Sequence, residues 1–531
     1  MSRLPLVVLV VVLALAPPTV GASDAAESDA PQPHIVGLLP NPTAPEDRGE
    51  YVALSVPSPG PVTLTDGEAT VNLTVRQPGR IVLTPTPGAL PTDADGRVVR
   101  APPSFRLSNA GERLRVRRGG RVVDELRYEN APEGERLRVT PTGRRWWPVG
   151  LTPRDPARFG PANATAFVLP DAPTLPVATL RAADDRVLLA GYTFTSARVA
   201  DALLAAAERG VRVVVLVDGG PVGGFSRRSA RTLDRLAAGG VRVRVVGGPR
   251  APVSFHHAKY AVVDDRALVL TENWKPAGVG GNGSRGWGVR VASPAVASDL
   301  ASVFEDDANG PGALSWRAFE DDAEVVAARR ANGSYPERFE PATVRVDRVS
   351  VLTAPDNAES ALVARIDAAE ERVAVLQPTL GSVDQPLVRA VVRAARRGVS
   401  VRILLSEAWY VTEENRRLVR ELNRLSRRES LPLEARTATP DGRFEKVHAK
   451  GLLVDDAVAV GSLNWNDHSA GENREVVLVL EGEAVTSYYR NVFDADWRGS
   501  GATVPVTFVL AGGGAALGAA VLLRREISFA D

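Results

Sequence analysis

The sequence predicts a multidomain chain: an N-terminal all-β domain, two α/β repeats, and a C-terminal transmembrane helix. Three observations carry this. Short alternating stretches broken by Pro, Gly, Asp and Asn fill residues 34–150. A strand–helix–strand pattern that ends in a polar phrase then occurs twice. Finally, residues 503–523 carry no charge, a length suited to crossing a bilayer, and Arg524 and Arg525 follow directly. At 531 residues, one ordinary core is too small for the chain.

The first 22 residues pair Arg3 with an apolar run, Leu4–Pro17, and the small-residue stretch Val20-Gly21-Ala22. This is the pattern of a cleaved secretory signal, with a retained anchor helix as the competing reading. The arginines after 503–523 place the tail 524–531 in the cytoplasm and the bulk of the chain outside the cell. Four Asn-x-Ser/Thr triplets, at Asn72, Asn163, Asn282 and Asn332, are compatible with that side.

Within 34–150 the expected strands include Tyr51–Val56, Ala69–Val75, Arg80–Thr84, Glu112–Val116 and Arg121–Leu126, which suits a small sandwich or barrel. From about residue 165 the pattern becomes α/β. Asp185–Ala190 reads as a buried strand, Ala197–Arg209 as a helix stopped by Gly210, and Val211–Val217 as the next strand. Glu371–Leu376, Pro386–Arg397, Gly398 and Val399–Leu405 repeat that order. The repeats span 165–312 and 343–500, with a Pro-, Gly- and Asp-containing linker at 313–342.

Each repeat carries the phrase H-A-K-x-x-x-x-D: His257, Lys259 and Asp264, then His448, Lys450 and Asp455. Each continues into a polar turn, Thr271 to Asn273 and Ser462 to Asn464. Of the 64 Lys and Arg residues only four are lysine, Lys259, Lys275, Lys446 and Lys450, and all lie in or beside these phrases. Arginine does not substitute for lysine as a compact phosphate-binding point. On a strand, a histidine and a lysine two apart share a face. Two half-sites related by a pseudo-twofold axis would then collect imidazoles, ammoniums, hydroxyls and amides around one phosphate. One imidazole would attack phosphorus, the other would protonate the leaving oxygen, and the cations would stabilise the oxygens.

Formal net charge is +1, so no global basic field points to nucleic acid. The absence of cysteine excludes disulfides and thiolate metal sites.

The motifs resemble those of the phospholipase D superfamily, H-x-K-x4-D followed by G-S-x-N. The resemblance implies two repeats, each a mixed sheet flanked by helices, one active site within one chain, and no metal or cofactor. It further implies a phosphohistidine intermediate on a phosphodiester, either phospholipid or nucleic acid. His257, Lys259, His448, Lys450 and Glu475 would be catalytic. Thr271, Asn273, Ser462 and Asn464 would bind the phosphate, and Asp264 and Asp455 would be structural. The N-terminal histidine, His257, is the expected nucleophile, with His448, whose motif is complete, as the alternative. The second motif is complete, with Gly461 and Glu475; the first has Leu270 for Gly, Thr271 for Ser, and Gly or Trp287 where Glu475 would stand. Glu475 is therefore expected beside His448 of its own half, the alternative being that a pseudo-twofold site crosses the pairs; one histidine is left without an obvious carboxylate. A phosphatidyltransferase, or a non-enzymatic surface protein with a decayed phosphate site, is the alternative. The opening Ile35–Pro42, followed by Gly49–Leu54, resembles the immunoglobulin-like lamin-tail domain, an accessory or binding module.

Overall fold

The computed structural model describes residues 31–499, apart from 92–93, 141–142, 153, 248–249, 311, 321–322, 324 and 328–330. The expected signal at 1–22, the apolar stretch 503–523 and the tail 524–531 lie outside the described residues. No helix among the described residues is long and apolar enough to cross a membrane.

Residues 34–148 form a six-stranded and a four-stranded sheet. Alternate residues of each strand face inward, as a period of two requires. Val52, Leu54, Ile81 and Leu83 from one sheet meet Leu64, Leu73, Leu114 and Leu126 from the other in one core. The expected strands are found, with Gly111–Arg118 and Arg121–Glu129 running longer than the pattern suggested.

Each repeat is built on one mixed sheet. In the first, Arg186–Gly191, Arg212–Asp218 and Arg242–Val246 run parallel. Tyr260–Val263, Arg266–Leu270 and Ser284–Ala292 continue the sheet antiparallel. The second sheet repeats this with Arg372–Gln377, Ser400–Leu405 and Leu433–Thr437, then Gly451–Val454, Ala457–Gly461 and Glu475–Glu481. The helix Ala197–Glu208 is capped by the Ser196 hydroxyl, which accepts from the Val199 N–H, and it stops before Gly210 at a φ of 89°.

The boundary between repeats is interlaced. Ala342–Val346 pairs with Ala162–Leu169 in the first sheet, although the sequence placed it at the start of the second repeat. In exchange, Ala157–Phe159 pairs with Arg348–Ala354 in the second. Inner faces of both sheets share one core: Trp287, Val289 and Phe304 from one half meet Phe444, Val460 and Tyr489 from the other. Each buried Val, Leu or Phe there stabilises by roughly 1.5–3 kcal/mol, so the halves hold each other folded.

Candidate active site

His257-Ala258-Lys259 and His448-Ala449-Lys450 immediately precede the strands Tyr260–Val263 and Gly451–Val454 and are not part of them. What fixes them is the opposite half. The His257 N–H donates to the Arg474 carbonyl at 2.9 Å, and the His448 N–H to the Arg285 carbonyl at 3.0 Å. Arg285 and Arg474 begin equivalent strands, so the two halves clasp reciprocally. Both arginines are buried between two aspartates: Arg285 between Asp171 and Asp496, Arg474 between Asp307 and Asp356.

The side chains cross in the same way. Nδ1 of His257 lies 2.9 and 3.0 Å from the two carboxylate oxygens of Glu475. This corrects the expected pairing of Glu475 with His448. The first half does supply a carboxylate: Glu272, whose Oε2 is 3.2 Å from Nδ1 of His448. Its position follows from strand register. Leu270 pairs with Gly288 and Gly461 with Val477, so Gly286 stands where Glu475 stands in the second half. A Cβ on Gly286 would be 2.2 Å from Cγ of Glu272. The glycine leaves room for a carboxylate that arrives from the neighbouring strand. The signal was present in sequence, as an acid within Thr271-Glu272-Asn273 where the twin phrase has Leu463.

With each Nδ1–H donating to a carboxylate, each Nε2 keeps its lone pair. His257 and His448 line one cavity of about 260 Å³, together with Asn273, Asn464, Lys275 and Lys446. The ammonium groups of Lys259 and Lys450 are buried and donate to the carbonyls of His257 and His448. Lys450 Nζ is also 3.3 Å from both ring nitrogens of His448. The Tyr192 ring meets His257 edge-on at 4.7 Å and the Lys259 ammonium at 5.2 Å.

Two expected phosphate contacts sit elsewhere. Thr271 and Ser462 are fully buried, and their hydroxyls accept the N–H groups of Trp287 and Val476 across the strand pair. They pin the strands that carry Glu272 and Glu475. Asp264 and Asp455 lie away from the cavity at φ near 50°. Each carboxylate accepts three N–H bonds, from residues 184–186 and 370–372 respectively, and so ties a turn to the start of a parallel strand.

Burial sets the protonation states. Desolvation pushes His257 down to about 4 and His448 to about 3; Glu475 opposes this for His257, whereas Lys450 adds to it for His448. Lys450 falls to about 8, again by burial, and Lys259 lies well below its ordinary value. Glu272 and Glu475 remain below theirs despite burial, because the histidines and lysines beside them favour the carboxylate.

A family model described as the phospholipase D-like domain of cardiolipin synthase matches residues 177–308 and 362–497, just over half of the chain. The chain belongs to the phospholipase D-like family. A probable phospholipase D of Caenorhabditis elegans is 30% identical over 119 residues, which are 20% of this chain and 22% of that protein. The phosphatidylserine synthase of Haemophilus influenzae superposes with a TM-score of 0.48 at 14% identity, covering 66% of this chain and 87% of that one. Nuc of Salmonella typhimurium, a phospholipase D family member, covers 30% of this chain and 98% of its own, with a TM-score of 0.25 at 22% identity.

Proposed function

We propose that the chain is a phosphodiesterase that works through a phosphohistidine and needs no metal ion. The crossed pairs His257–Glu475 and His448–Glu272 at one cavity carry this reading. Nε2 of His257 attacks phosphorus, and the P–O bond to the leaving group breaks as His448, which first takes up a proton on Nε2 from solvent beside the anionic phosphate, gives that oxygen the proton. His448 then takes a proton from water, whose oxygen displaces His257, breaking the N–P bond and releasing a phosphomonoester. The lysines and Asn273 and Asn464 stabilise the developing charge.

Both histidines have a carboxylate, so Glu475 no longer distinguishes their roles. Two features favour His257 as nucleophile. Both oxygens of Glu475 reach its Nδ1, which supports the positive ring formed with the N–P bond. Its side chain is 10% exposed against 19% for His448, and the acid–base partner must exchange protons with water. The signal-like start and the apolar stretch 503–523 support a reading in which the activity works outside the cell, tethered to a membrane. The β domain, by its likeness to lamin-tail domains, is an accessory binding module.

The test is hydrolysis of bis(p-nitrophenyl) phosphate with excess chelator. Turnover is expected to persist and to disappear in His257→Ala and in His448→Ala. Loss with chelator, restored by a divalent ion, would refute the metal-free route. Near-normal turnover by His257→Ala would refute the two-histidine route. Acid-quenched peptide mapping should find phosphate on the His257 peptide.

A further inference from the structure

Five large apolar side chains among the described residues are exposed: Val98, Val122, Val222, Val325 and Trp409. Val222 lines the catalytic cavity, and Trp409 and Val325 each adjoin a residue that lines it. Trp409, 74% exposed, directly precedes the cavity residues Tyr410 and Val411. Val222 lines the cavity and is 47% exposed. Val325 precedes the cavity residue Val326, on a short strand paired with Phe225–Ser226 of the Val222 loop. Three separate segments thus present apolar side chains to solvent at one rim. Scattered exposed apolar residues need no explanation, whereas apolar side chains converging on a mouth mark an interaction site.

The course of the chain identifies the partner. The last helix among the described residues, Glu483–Gly499, ends against Arg443: a Cβ on Gly499 would be 2.1 Å from that guanidinium. Three residues further on, Lys446 lines the cavity and lies 5.5 Å from the Tyr410 ring. The chain therefore leaves the described region next to the segment that leads from Arg443 to the cavity residue Lys446. The uncharged stretch begins at 503, and a link of residues 500–502 reaches about 10 Å at most. A bilayer holding that stretch would lie on the side of the molecule where the Arg443–Lys446 segment enters the cavity, the side on which Lys446 meets Tyr410, the neighbour of Trp409.

We infer that Trp409, Val222 and Val325 dock the mouth of the site onto a lipid surface. The inference rests on the proposed phosphodiesterase for its use, but not for its test. Tryptophan suits the boundary between headgroups and acyl chains, with an apolar ring and one N–H donor. Docking would let a headgroup phosphate enter from the bilayer without full extraction into water.

The full chain, reconstituted into phosphatidylcholine vesicles containing a doxyl-labelled phosphatidylcholine, reports this through tryptophan quenching. The stretch 503–523 contains no tryptophan. Trp409→Phe keeps an apolar ring but removes the reporter, so it should abolish the lipid-quenched component of the emission. An unchanged quenched component would overturn the inference and favour a protein partner at the rim. A second arm uses Trp409→Ser, which should lower turnover of vesicle-borne phospholipid about tenfold and leave bis(p-nitrophenyl) phosphate turnover unchanged. Equal loss on both substrates would also overturn it. Quenching that depends on Trp409 in a chain inactive on every diester would leave docking intact and reject the proposed function.

Discussion

The carboxylate of Glu272 reaches the seat above Gly286 that Glu475 fills in the other half, so the same function is supplied from two different positions. Glu272→Gln should lower kcat about 10²–10⁴-fold, the range for an oriented acid–base imidazole. Glu272→Leu with Gly286→Glu copies the arrangement of the second half, Leu463 with Glu475. This double variant should recover a large part of what Glu272→Leu loses. If Gly286→Glu gives no recovery, the carboxylate at 272 does something besides holding His448. Lysine protonation sets a second expectation. Lys450 lies at about 8, below its ordinary value, so its ammonium is lost in the folded protein as pH rises through that point. In kcat/KM, which reports the free enzyme, activity should fall more steeply above about pH 8, on top of the decline that the low value of His448 sets from acid pH onward. Lys450→Arg, which stays charged, should move that alkaline limb upward or remove it.

At the scale of elements, helices and parallel strands were legible because their signals are local: apolar period, a serine cap, a glycine stop. The motif residues His257, Lys259, His448 and Lys450 were legible because they are written twice. The crossing was not. Glu475 lies 218 residues from His257, and nothing in the spacing tells which half it serves. The roles of Arg285 and Arg474 were hidden too, since in a chain this rich in arginine two more look like surface charge. Their guanidiniums neutralise aspartates while their carbonyls hold the opposite histidine segment. Removing one partner of a buried ion pair costs about 3–5 kcal/mol, because the charges left behind stay desolvated. Arg285→Ala, which leaves Asp171 without its guanidinium and Asp496 with Arg443 alone, should therefore lower stability by about that amount in denaturant titration. A loss below about 1 kcal/mol would mean that water reaches the aspartates.

At the scale of the whole molecule, cores define what unfolds together. The β domain has its own core, from Ile35 to Leu137. The two repeats exchange edge strands and share a third core across their interface, and each half's histidine is held by the other half. Neither repeat can open alone without exposing Trp287 and Tyr489, whose rings pack 4.7 Å apart. Calorimetry of residues 31–499 should accordingly show two transitions: a smaller one for the β domain and one larger transition for both repeats together. Vanadate, as a phosphate analogue at the site between the repeats, should raise only the larger transition. At one hundred times its dissociation constant, binding adds about 2.7 kcal/mol to the unit that holds it. Three transitions, with vanadate moving just one repeat, would show that the site belongs to a single half, and the reciprocal clasp through Arg285 and Arg474 would then contribute little to holding the molecule together.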